Sequence, residues 1–102
     1  MDKALSMLGL VKRAGALLVG TNSVLDGIKL KKTKLVIIAS DAAENTLKRI
    51  TDKCNYYNAE YEQLGYTMEE LGSAVGKEQS SAVAITDNNL LIGFRKSRNS
   101  AE

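Results

Sequence analysis

Leu17-Leu18-Val19-Gly20-Thr21-Asn22-Ser23-Val24-Leu25-Asp26-Gly27-Ile28 joins a short apolar run, a glycine and an amphipathic stretch. A lysine cluster follows at Lys29, Lys31, Lys32 and Lys34. That order predicts a strand over 17–19, a tight turn at Gly20, and a helix from Asn22 to about Lys31 with Val24, Leu25 and Ile28 facing inward. The first N–H groups of a helix lack intrahelical acceptors and carry partial positive charge. Such an end suits a phosphate or the acceptor edge of a base. Asn22 adds a side chain that both donates and accepts, although asparagine equally suits an N-cap.

The same pattern extends outward in both directions. Ala4, Met7, Leu8 and Val11 recur at helical spacing and define a first helix that ends before Gly15. Leu35-Val36-Ile37-Ile38-Ala39 is a continuous apolar run, expected as a strand buried on both faces, as in parallel sheets. Asp41 with Glu44 has the spacing of a capping box for a third helix that runs to about Cys54, with Ala43, Leu47, Ile50 and Cys54 on one stripe. A short strand falls within 56–63, and Thr67 with Glu70 opens a further capped helix that ends near Gly76. Ala82-Val83-Ala84-Ile85-Thr86 is another buried strand. Asp87-Asn88-Asn89 fits either a helix cap or a hairpin turn, and the basic end from about Arg95 reads as a frayed tail. Strands alternating with helices predict an α/β/α three-layer sandwich around a small mixed or mostly parallel sheet, in a single domain spanning 1–102.

Composition narrows the function. With 44% apolar and 25% charged residues, the 102-residue chain has the balance of a soluble globular protein, and no stretch has the apolar length of a membrane span. Cys54 is the only cysteine, so no intrachain disulfide can form, which fits a reducing cytoplasm. Charge is unevenly spread. Residues 1–53 hold ten Lys/Arg against five Asp/Glu, and residues 54–102 hold four against seven. The basic half is the one that carries the glycine turn, and both features attract anions.

The absence of histidine removes the commonest general base and metal ligand. Cys54 alone cannot form a Cys–His pair or a zinc site, and at the end of an apolar stripe it reads as core. Gly72-Ser73-Ala74-Val75-Gly76-Lys77 falls one residue short of a phosphate loop, and Glu78 stands where that loop needs Ser or Thr. The expectation is a non-enzymatic protein without cofactor or metal.

Leu8-Gly9-Leu10-Val11-Lys12-Arg13-Ala14-Gly15, Gly20-Thr21-Asn22, Lys34-Leu35-Val36-Ile37-Ile38-Ala39-Ser40-Asp41-Ala42-Ala43, Asn45-Thr46, Lys53-Cys54 and Glu70-Leu71-Gly72-Ser73-Ala74-Val75-Gly76-Lys77 occur in that order. Together they resemble the kink-turn RNA-binding ribosomal protein family, in particular its bacterial YlxQ-type branch. The resemblance implies an α/β/α sandwich that binds kink-turns, which are sharply bent duplexes with tandem sheared G·A pairs beside a bulge. It implies contact through the turn Gly20, Thr21, Asn22 and Ser23, with Asn22 on a guanine edge. Lys29, Lys31 and Lys32 would meet phosphates. Gln79, Ser80 and Ser81, in the loop before the last main strand, would cover the bulged nucleotide.

Two positions depart from the family pattern. Many kink-turn binders carry Glu where this chain has Ser23 and Lys where it has Asp26. The resemblance thus implies a cytoplasmic, monomeric partner of structured RNA, ribosomal RNA included, with no membrane or metal. The departures leave a second expectation, a protein-interaction module on the same fold with weakened or lost RNA binding.

Overall fold

Local pattern and long-range pairing together set the element order in the computed structural model, which describes residues 2–99. The elements are α1 (Lys3–Arg13), β1 (Leu17–Val19), α2 (Thr21–Lys29), β2 (Leu35–Ile38), α3 (Glu44–Tyr57), β3 (Tyr61–Gln63), α4 (Met68–Ala74), β4 (Ala82–Ile85) and α5 (Asn88–Asn99). The four strands form one sheet in the order β1-β4-β2-β3. β2 and β3 are parallel, whereas β4 runs antiparallel to both β1 and β2. The sheet is therefore mixed. The full burial of β2 and β4 follows from their central places, with a neighbour on each side and helices on both faces.

Side-chain alternation along the strands divides the core into two layers. Leu35, Ile37, Val83 and Ile85 point to the side covered by α1, α4 and α5, where Leu8, Leu71 and Phe94 are fully buried. Val36, Ile38, Ala82 and Ala84 point to the side covered by α2 and α3, against Val24, Ile28, Ile50 and Cys54. Small alanines on that face of β4 leave room for the branched residues of α2. The result is the three-layer α/β/α sandwich.

Several helix boundaries differ from the sequence expectation. α2 stops at Lys29 because Lys31 adopts a left-handed backbone, φ 59°. The N–H of Lys31 donates to Ile28 O at 3.0 Å and that of Lys32 to Gly27 O at 2.9 Å. These two bonds close a Schellman motif. α3 runs on to Tyr57 and ends at Asn58, which is also left-handed. Its N-cap is Ala43, exposed rather than on the buried stripe, and no side chain among the described residues caps it. The expected Asp41–Glu44 box is absent, because Asp41 instead accepts from Met68 N at 2.7 Å, at the start of α4. The Thr67–Glu70 capping box is present in both directions. Asp87 accepts from Leu90 N at 3.0 Å, so 87–89 opens a helix rather than a hairpin. The basic end expected to fray is helical through Asn99, with Arg95 paired to Glu60 and Arg98 to Glu62.

Strand directions gather four loops at one pole. β1, β2 and β3 end there and β4 begins there. Backbone bonds tie the loops together: Gly20 N to Ala82 O at 3.0 Å, Ala39 N to Ser81 O at 2.9 Å, Ser40 N to Tyr66 O at 2.7 Å, and Ser80 N to Met68 O at 3.0 Å.

Candidate nucleic-acid interface

Gly20 shapes this pole. Its backbone, φ 95° and ψ 156°, lies where L side chains rarely go, and nothing stands within 4 Å of a Cβ added there. The turn can therefore bring α2 out of β1 abruptly and leave the helix end open. Gly20 is the N-cap, so Asn22 is the second helical residue and does not cap the helix. Val24 N donates to Gly20 O at 3.0 Å. Among the described residues, none accepts from the N–H groups of Thr21, Asn22 or Ser23. Thr21 is half-buried, while Asn22 and Ser23 are exposed. Three donors and a free amide side chain thus face outward together.

The 76–81 loop reaches the same pole. Gly72 in α4 permits this, because a Cβ there would meet the backbone of Gln79 at 2.7 Å. The loop consequently folds flat against α4 and returns to β4 beside Gly20. Its three expected contact residues then separate. Gln79 is exposed, but Ser80 is 5% exposed and donates its hydroxyl to Ala82 O at 2.9 Å. Ser81 is half-buried, with its hydroxyl 3.3 Å from the Met68 sulfur. Only Gln79 has a side chain open to a ligand without local rearrangement.

Lys29, Lys31 and Lys32 are exposed, but they sit at the far end of α2. Seven residues separate Asn22 from Lys29, roughly 10 Å along a helix. The lysines therefore lie along the flank of anything that docks on the turn, not beneath it. Asp26 lies between the two groups, exposed and without an ion pair among the described residues. It shares a shallow depression of about 220 Å³ with Ser23, Leu30 and Lys32, between α2 and β1.

The structure also reveals a feature without a clear sequence signal. Gly9 lets the end of α4 lie against α1, and Lys12 Nζ donates to Val75 O at 2.6 Å. An ammonium at that end complements the helix dipole and steadies the start of the 76–81 loop. Lys12 and Arg13 line a depression of about 460 Å³ there. The partner of Lys12 is 63 positions away, so no local pattern could have announced it. Cys54 is fully buried, and burial pushes its thiol up to about 11, leaving it neutral and inert.

The model of the Ribosomal protein L7Ae/L30e/S12e/Gadd45 family matches residues 2–92. The chain is 41% identical over 81 residues to the RNA-binding protein YlxQ of Bacillus subtilis strain 168, covering 79% of this chain and 80% of that protein. It is 36% identical over 95 residues to the RNA-binding protein YlxQ of Enterococcus faecium, covering 93% and 86%. A solved structure of a protein of unknown function from Bacillus halodurans C superposes with a TM-score of 0.85 at 31% identity, over 98% of this chain and 100% of that one.

Proposed function

Because the chain belongs to the Ribosomal protein L7Ae/L30e/S12e/Gadd45 family, we propose that it is a non-enzymatic protein that binds kink-turn or similarly bent structured RNA. The observation that carries this reading is the open N-terminus of α2, with three N–H groups unpaired among the described residues and exposed Asn22 beside the Gln79 loop. The major groove of regular A-form RNA is too deep and narrow for side chains to read. A sharp bend opens it, and an uncapped helix end can enter. There Asn22 meets a guanine edge and the N–H groups meet acceptors, while Lys29, Lys31 and Lys32 neutralise phosphates along the flank. The names of the two relatives, RNA-binding proteins both, support the same reading. We place the protein in the cytoplasm as a monomer on ribosomal or other structured RNA.

A second reading, a protein-interaction module, is favoured by one feature. Ser23 and Asp26 present a hydroxyl and a carboxylate on the exposed side of α2, where RNA contact would gain from acceptor and cation respectively. Titration of a kink-turn against the same RNA with its G·A pairs disrupted, at two salt concentrations, separates the two. RNA recognition requires preference for the kinked form and a log–log salt slope of about −0.7 to −0.9 per phosphate neutralised. Asn22→Ala should cost about 1–3 kcal/mol and narrow that preference, whereas Lys31→Ala should weaken both RNAs alike. Equal binding of the two RNAs favours the protein-interaction module.

A further inference from the structure

α3 presents a face that neither the core nor the Gly20 turn uses. Ile50 and Cys54 are its buried residues, and helical spacing carries Arg49, Lys53 and Tyr56 away from them on successive turns. Tyr56 is 81% exposed, more than Leu30, Ile92 or Leu10. A single exposed ring is ordinary. This one, however, has a fixed neighbour. Tyr57 is half-buried against the α2–α3 core and meets Tyr56 edge-on, with centroids 4.9 Å apart and planes at 77°. The Tyr56 ring is thus held on one side while remaining open to solvent.

The charge around it points the same way. Asp52, on the same helix, is engaged by Lys48 at 3.1 Å. Arg49 and Lys53 form no ion pair among the described residues, in contrast to Arg95 and Arg98. Residues 21–57, which build the α2–α3 layer and β2, hold seven Lys/Arg against four Asp/Glu. The other described residues hold seven of each. All the net positive charge of the described chain therefore lies in the segment that carries both the Gly20 turn and Tyr56. An open aromatic face flanked by unpaired cations matches single-stranded RNA, whose bases stack on such rings while its phosphates meet the cations.

We propose that the outer face of α3 is a second RNA contact, in which Tyr56 stacks on an unpaired base and Arg49 and Lys53 bind the adjoining phosphates. The proposal rests on the RNA-binding reading above and extends it to a single strand that flanks the bent duplex. α2 and α3 pack side by side with their N-termini at the same pole. Twelve residues separate Glu44 from Tyr56, roughly 18 Å of helix, so the flanking strand must run a few nucleotides past the kink to reach the ring.

Three RNA probes test this: a blunt-ended kink-turn, the same kink-turn with a single-stranded oligoadenosine extension of about eight nucleotides at either end, and the free oligoadenosine. The extension at one end should tighten binding by at least about fivefold. Tyr56→Ala should abolish that gain and leave blunt kink-turn affinity unchanged, while Tyr56→Phe should retain it, because stacking needs the ring and not the hydroxyl. Arg49→Gln with Lys53→Gln should reduce the gain and flatten its salt dependence. If neither extension adds affinity, or if Tyr56→Ala loses nothing, this inference is overturned and the face is left to a protein partner. Tyr56-dependent binding of extended and free single strands, without preference for the kink, would sink the kink-turn reading and leave this one standing. If no RNA binds, both fall.

Discussion

Asp26 is where two demands on α2 compete. A carboxylate near a helix N-terminus favours the macrodipole, but that benefit fades beyond the first turn. With α2 beginning at Thr21, Asp26 is its sixth residue and gains little from that source. It lies one turn after Asn22 on an exposed face, where RNA docked on the turn would bring phosphate. Asp26→Lys should therefore tighten kink-turn binding by on the order of 1 kcal/mol, with the gain shrinking as salt rises. The stability of the variant should change by no more than an ordinary surface substitution allows, about 0.5 kcal/mol. Affinity measured at two salt concentrations checks this, and no change at either means that the outer side of α2 does not face RNA. At this scale legibility was uneven. Gly20 and Asn22 stood out because a glycine between an apolar run and an amphipathic run has a local reading. The inward turn of the Ser80 hydroxyl had none, because its acceptor, Ala82 O, depends on how the loop enters β4.

Among the elements, α3 and α4 show how a correct motif can be attached to the wrong helix. Asp41 and Glu44 have capping-box spacing, yet the carboxylate caps α4 across 27 positions and leaves α3 without a side-chain cap among the described residues. Removing a cap costs about 1 kcal/mol. Asp41→Ala should lower stability by that amount and speed hydrogen exchange at the Met68 amide, leaving the first turn of α3 as it was. Loss of protection confined to α3 would show that the sequence spacing was the better guide. Thr67 with Glu70 was legible because both partners lie within one turn. α5 was missed as a helix to Asn99 because its charged end is held by Glu60 and Glu62 of the β3 segment, contacts 35 and 36 positions away. The end of α2 was overrun by two residues because a lysine, rather than glycine, takes the left-handed position at 31.

On the scale of the whole molecule, alternating strands and helices were enough to predict three layers. They were not enough to orient the strands. β4 returns antiparallel between β1 and β2, and that one reversal brings the 76–81 loop beside Gly20. The candidate site is thus a product of topology, a helix end and a loop separated by more than fifty residues and joined at one pole. The lysines next to the turn in sequence lie a helix length away from it, so under the proposed function base reading would fall to one end of α2 and charge neutralisation to the other. Under the proposed function, the open N-terminus of α2 is what meets bent RNA. The most direct measurement is an amide NMR titration with kink-turn RNA, with the G·A-disrupted RNA as control. The amides of Thr21, Asn22 and Ser23 should shift furthest with the kink-turn and much less with the control. Shifts confined to other surfaces, with 21–23 unmoved by either RNA, would contradict that function.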